Sequence, residues 1–148
     1  PFFVGASLAA LDQTLRHLVG RARHWTIAVD GEPRSSGRFQ SIIIVNGDLG
    51  KDLPFARDVP LGSGDFHVFA LRDIGARRLP AQFRKAFDAS IQEDPERWGF
   101  EHFRVAESLD LSQPDDAVFP INVDGSTMVC RGAARFRIVD CANLMAKP

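Results

Sequence analysis

The residue types that could do chemistry are thinly spread along this chain. Its four histidines, His17, His24, His67 and His102, have no i, i+4 partner and no nearby cysteine, so their spacing predicts no metal cluster and favours surface or packing roles. Serines are numerous, yet none stands in a G-x-S-x-G elbow. The nearest wording, Gly62-Ser63-Gly64, precedes a strand instead of joining a strand to a helix, which argues against acyl-transfer chemistry. It is also the G-x-G of the chain, and G-x-x-x-x-G-K-[ST] is missing, so neither common backbone cradle for phosphate is present. Cys130 and Cys141 lack metal spacing and are too few for a disulfide framework. They read as reduced packing residues, which points to a reducing, cytoplasmic setting.

Two further features have both a chemical and a plain reading. Arg77, Arg78, Arg84 and Lys85 gather beside a row of Leu and Phe, a pattern that could rest peripherally on an anionic membrane; the same pattern arises when Phe83 and Phe87 face a core and the basic groups are solvated. Asp30-Gly31 and Asp124-Gly125 are ordinary hairpin turns before they are anything else.

Composition sets the frame for these residues. The chain has 148 residues, is 45% hydrophobic and 25% charged, and carries 18 Lys+Arg against 19 Asp+Glu. That length supports one soluble domain with its own core, residues 1–148, and the apolar content excludes disorder. A formal net charge of −1 gives no general pull on a polyanion, so no nucleic-acid partner is expected. The longest apolar run, Ile42 to Val45, is far short of a membrane span. The chain opens on Pro1-Phe2-Phe3-Val4 without an initiator Met or the basic flank of a signal peptide, and reads as a fragment.

Periodicity supplies the elements. Leu8, Leu11, Leu15, Leu18 and Val19 predict an amphipathic helix over residues 5–20, capped by Ser7 and ended by Gly20. Trp25, Ile27 and Val29 alternate as a strand; after Asp30-Gly31 and a long turn, Phe39 to Val45 reads as a buried strand. A Gly-, Asp- and Pro-rich loop runs from Asn46-Gly47 to about Asp65, ahead of a strand from Phe66 to Leu71. Leu79, Phe83, Phe87 and Ile91 predict a second helix over Pro80 to Ile91, followed by a polar connector over residues 92–100. Phe103 to Leu111 reads as one strand, Gln113 to Asp116 as a turn, and Phe119, Ile121 and Val123 as another strand closed by Asp124-Gly125. Met128 to Cys130, Phe136 to Val139 and Leu144-Met145 add short strands. About seven strands to two helices point to a mostly β, α+β fold, an antiparallel β-sandwich with helical additions.

The order of four segments gives a resemblance. Ile42-Ile43-Ile44-Val45-Asn46-Gly47-Asp48-Leu49-Gly50 resembles the v-x-N-G-x-x-G-G-G segment of the diacylglycerol kinase catalytic-domain superfamily, lipid kinases related to sphingosine kinases. Gly62-Ser63-Gly64-Asp65-Phe66-His67-Val68-Phe69 falls where that family writes d-D-G-l-l-d-v-v. Phe119-Pro120-Ile121-Asn122-Val123-Asp124-Gly125 falls on v-x-v-D-G-E, and Phe136 to Pro148 is similar to the family's closing segment. The likeness covers roughly residues 5–148 and only the family's C-terminal half. The N-terminal nucleotide-binding half, with its G-G-D-G-T signature, has no counterpart in the chain, so the resemblance implies the second, β-sandwich domain of a two-domain lipid kinase.

The departures fall on the acids. The resemblance places Asp124 and Ser126 at the catalytic position, where the family's glutamate would deprotonate the lipid hydroxyl; Ser126 cannot take that proton unaided. It places Asn46, Gly47, Gly50, Gly64 and Gly125 along the cleft. Ser63 and Asp65 fall at the magnesium positions, with Ser63 replacing an aspartate and Asp65 standing where relatives offer a backbone carbonyl. Three readings result. In the first, the full-length parent is an ATP- and magnesium-dependent lipid kinase, this fragment supplies the lipid-substrate side, and by itself it takes no cofactor. Its partners are the missing N-terminal domain of the parent, a lipid and, as an open option, a second copy in a homo-oligomer. In the second, the chain is a divergent, non-catalytic lipid-binding domain. In the third, it is a β-rich interaction module without a ligand.

Overall fold

A computed structural model describes residues 22–46, 54–56, 64–123 and 126–139. The helix expected over residues 5–20 and the strand at Leu144-Met145 lie outside the described residues.

β1 (Arg23–Val29) passes into β2 (Glu32–Val45) through Asp30 and Gly31 alone. Both take positive φ, 51° and 82°, the two-residue turn whose twist matches antiparallel strands. The long turn expected after Gly31 is therefore strand from Glu32 onward. Its polar run, Arg34 to Arg38, belongs to a ladder that asks only for backbone groups, and it was hidden by the lack of apolar alternation.

β3 (Phe66–Arg72), β4 (Phe100–Val105), β5 (Ser108–Ser112) and β8 (Ala133–Arg137) complete a six-stranded antiparallel sheet in the order β4-β3-β2-β1-β5-β8. β6 (Val118–Val123) and β7 (Ser126–Arg131) form a separate two-stranded ribbon. The strand expected over Phe103 to Leu111 is two strands, broken at Ala106-Glu107, because the chain leaves one side of the molecule there and joins the other.

β2 makes the sheet into a sandwich. It pairs with β1 from Glu32 to Phe39 and with β3 from Phe39 to Val45, and the register slips between Phe39 and Ser41. One extra residue, Gln40, switches the parity, so Phe39 shares a face with Ile42 and Ile44 instead of opposing them. Arg72 holds this bend: its guanidinium lies 4.8 Å over the Phe39 ring, donates to Ser35 Oγ at 2.5 Å and to the Ser36 carbonyl at 3.2 Å, and pairs with Glu101. Gly37 makes room for it, since a Cβ there would stand 2.5 Å from Arg72 Nη1.

The inner core draws on both layers: Ile27 and Val29, Phe39, Phe66, Val68 and Ala70, Val105, and Leu109 with Leu111. Each buried Ile, Val, Leu or Phe side chain among these contributes about 1.5–3 kcal/mol. The ribbon joins through Phe119, whose ring meets Trp25 edge-on at 4.7 Å. On the outer face of the β2–β3–β4 layer a second cluster forms from Val45, Phe69, Leu71 and Phe100, covered by Phe55 and Ala56, Ala86 and Ile91.

That cover is a 3-10 turn (Pro54–Ala56), α1 (Leu79–Phe87), a second 3-10 turn (Ser90–Glu93) and α2 (Pro95–Trp98). The helix expected to reach Ile91 stops at Phe87, because Ala89 adopts a left-handed φ of 63° that turns Ile91 onto the core from a new direction. The expected polar connector contains α2, capped by Asp94 and closed by Gly99 at φ 60°. Buried Gln82 ties α1 down, its Nε2 donating to the Arg72 carbonyl at 2.9 Å and the Trp98 carbonyl at 2.7 Å. Phe83 packs on the second cluster, whereas Phe87 is 37% exposed. Among the described residues no helix is long and apolar enough to cross a membrane.

Candidate functional site at the end of the β2–β3 pair

Val45 stands opposite His67 in the β2–β3 register, so Asn46, leaving β2, and Gly64-Asp65, entering β3, lie at one end of the pair. Three of the residues singled out from the sequence are thus brought together. Asn46 is exposed, and Gly64 is exposed with φ 76° and open space where a side chain would be. Asp65 differs: its side chain is 4% exposed and forms an ion pair with Arg104 of β4, whose own side chain is 71% exposed. Gly47, Gly50, Ser63, Asp124 and Gly125 lie outside the described residues. Ser126 begins β7, opposite Val123, exposed and on the ribbon instead of the main sheet.

Beside Asp65 is a cluster that spacing did not reveal. His67 lies opposite Arg104, and His102 opposite Phe69, so both rings project from the same face of neighbouring strands. His67 Nδ1 and His102 Nε2 are 2.8 Å apart, a hydrogen bond made edge to edge, with ring centroids 5.0 Å apart and planes inclined by 27°. Phe69 stacks on His102 at 4.5 Å, nearly parallel. Burial, and secondarily the neighbouring His67, hold His102 below the usual imidazole range.

The magnesium that the resemblance implies fits this end poorly. A hard cation asks for several oxygen ligands. The carboxylate described here, Asp65, is buried and engaged by Arg104, and the adjoining side chains are imidazoles. Among the described residues no group of three His, Cys, Asp or Glu is placed to hold a metal ion.

A second acid, Asp30, has a different task. Its carboxylate accepts backbone N–H bonds from Glu107 at 2.7 Å, Ser108 at 2.8 Å and Ala106 at 3.2 Å, clamping the β4–β5 crossing. These bonds, that from Ser108 foremost, hold its carboxyl below the usual range. Glu32, which completes a D-G-E wording here, is exposed at the start of β2.

No family model matches the chain, and no curated protein matches it. Solved structures do. One, described as a candidate diacylglycerol kinase from Bacillus anthracis str. Sterne, aligns with a TM-score of 0.56 at 16% identity over 80% of this chain and 37% of its own. Another, described as a diacylglycerol kinase from the same organism, aligns with a TM-score of 0.50 at 16% identity over 83% of this chain and 43% of its own. At that identity the likeness is one of fold. The chain has the β-sandwich architecture of one region of these proteins and spans about two fifths of their length.

Proposed function

We propose that the chain is the substrate-side domain of an ATP-dependent lipid kinase, a protein that transfers the γ-phosphoryl group to a lipid hydroxyl. The observation that carries this reading is the fold likeness over 80% of the chain to a part only of diacylglycerol kinase structures, combined with the order of the N-G, G-S-G-D and V-D-G segments. Phosphoryl transfer is mostly positioning and charge neutralisation, and it can be shared between two domains that face one cleft. In this reading Asn46, Gly47, Gly50 and Gly64 line the cleft wall, and Asp124, Gly125 and Ser126 approach the lipid hydroxyl. ATP and magnesium belong to the other domain, in keeping with the poor fit of a hard cation at Asp65.

The test is nucleotide binding and phosphate transfer by the purified chain. It is expected to bind no Mg-ATP and to transfer no phosphate to a lipid extract, while retaining affinity for the lipid. Phosphate transfer by residues 1–148 alone overturns the assignment.

A non-catalytic, lipid-binding role is favoured by a specific pair of observations. Serines stand at both positions where the family places an acid, Ser63 and Ser126, and Asp65 is engaged by Arg104. Lipid binding without transfer by the whole parent protein distinguishes it.

A further inference from the structure

The groups that make the end of the β2–β3 pair unsuitable for a cation suit an anion. Arg104 stands directly opposite His67 in the β3–β4 register, and His102 lies two residues before it on the same strand. A guanidinium and two imidazoles therefore share one face of adjacent strands. Asp65 anchors the guanidinium: its side chain, 4% exposed, takes Arg104 Nε, while the arginine side chain is 71% exposed. Among the described residues the two Nη nitrogens meet no acceptor, which leaves one edge of the fork unspent. The imidazoles beside it are hydrogen-bonded to each other at 2.8 Å, and His102 is stacked on Phe69 at 4.5 Å. The geometry points to a site for a phosphate-type oxyanion, held by the Nη edge of Arg104 and an outer N–H of the His67–His102 pair.

A guanidinium offers two parallel N–H groups to two oxygens of a phosphate, and such charge-assisted bonds are about twice as strong as neutral ones. In a neutral pair one ring donates to the other, so of the outer nitrogens, His67 Nε2 and His102 Nδ1, one carries N–H and the other a lone pair. The pair can thus place its free N–H at whichever end meets the anion. Uptake of one proton keeps the inner bond and makes both outer nitrogens donors, adding the positive charge that the Asp65 carboxylate otherwise cancels against Arg104. The charged groups facing the pair are Arg104 and Asp65; Val45 of β2, opposite His67, and Phe55 of the covering turn, against Phe69, carry none. Burial and His67 hold His102 below the usual imidazole range, and a bound anion opposes both, so affinity rises as pH falls. Free phosphate and the headgroup of a phosphorylated lipid share this chemistry. The site does not rest on the kinase reading.

The experiment is calorimetric titration of the 148-residue chain with sodium phosphate, with sodium chloride at equal ionic strength as the control. One phosphate per chain with a submillimolar Kd is expected. Arg104→Lys keeps a cation for Asp65 but loses the fork, and should weaken phosphate by at least about tenfold. Arg84→Gln, on α1, should leave it unchanged. Circular dichroism establishes that each variant is folded. Sulfate, whose own charge is constant, should bind more tightly as pH falls from about 7.5 to 6, and the double variant His67→Gln with His102→Gln should lose that dependence. Co-sedimentation with vesicles of four parts phosphatidylcholine to one part phosphatidic acid separates the sources. Vesicle binding that Arg104→Lys abolishes assigns a lipid headgroup, and phosphate binding without vesicle binding assigns a free phosphate. No binding of phosphate below about 10 mM, a Kd far weaker than a built site gives, or full-strength binding by Arg104→Lys, overturns the proposal.

Discussion

β1 and β6 are written in nearly the same way. Trp25, Ile27 and Val29 alternate and end in Val-Asp-Gly, and so do Phe119, Ile121 and Val123. Their fates differ. Ile27 is 0% and Val29 3% exposed, because β1 lies inside the six-stranded sheet with β2 on one side and β5 on the other. Along β6 burial runs out, from Phe119 at 1% to Val123 at 41%, because β6 has β7 as its partner and meets the sandwich at Phe119 against Trp25. Alternation specifies a strand. What lies on either side of that strand decides how much stability the alternation yields.

Mutations can break that comparison. Ile27→Ala should cost about 3–4 kcal/mol in chemical denaturation, the cost of a cavity in a closed core, while Ile121→Ala should cost under about 1 kcal/mol. Equal losses would contradict the picture. Phe119→Ala should cost about 3 kcal/mol and act locally, so that amide exchange quickens in the ribbon more than in β1 to β4. Asp30→Ala comes next, at about 1 kcal/mol, the low end for a charged acceptor because Asp30 faces solvent. Its pH dependence has a definite sign. Folding depresses the Asp30 carboxyl, so its contribution is present above the unfolded carboxylate value near 3.8 and is lost as pH falls through the folded one. Acid melts of wild type and Asp30→Ala should therefore converge below that value. Val129→Thr, at a position 72% exposed, should change stability by no more than about 0.5 kcal/mol.

Much of the fold was legible because strand periodicity and turn chemistry agree. The Asp30-Gly31 turn, β3 and the sandwich class follow from local pattern alone. The bend in β2 left a trace, since Phe39 and the pair Ile42 and Ile44 sit at opposite parity and can share a core only across a bulge. α2 also left one, Asp94-Pro95 at its start and Gly99 at its end, yet a four-residue helix carries too little periodicity to stand out. The histidine pair left none. His67 and His102 are 35 residues apart, and their contact depends on the register of β3 against β4, set across an intervening helical connection. The candidate cleft was legible in part: the N-G and G-D segments mark where β2 ends and β3 begins, whereas the ion pair between Asp65 and Arg104 again requires the register.

The proposal that this sandwich is the substrate-side domain of a lipid kinase rests on its fold likeness to about two fifths of diacylglycerol kinase structures. The most direct measurement is transfer of label from γ-labelled ATP to a lipid extract by the parent protein, run beside the 148-residue chain. The account predicts labelled lipid with the parent and none with the chain alone. Labelled lipid from the chain alone, or none from a folded parent that binds both ATP and lipid, would contradict it.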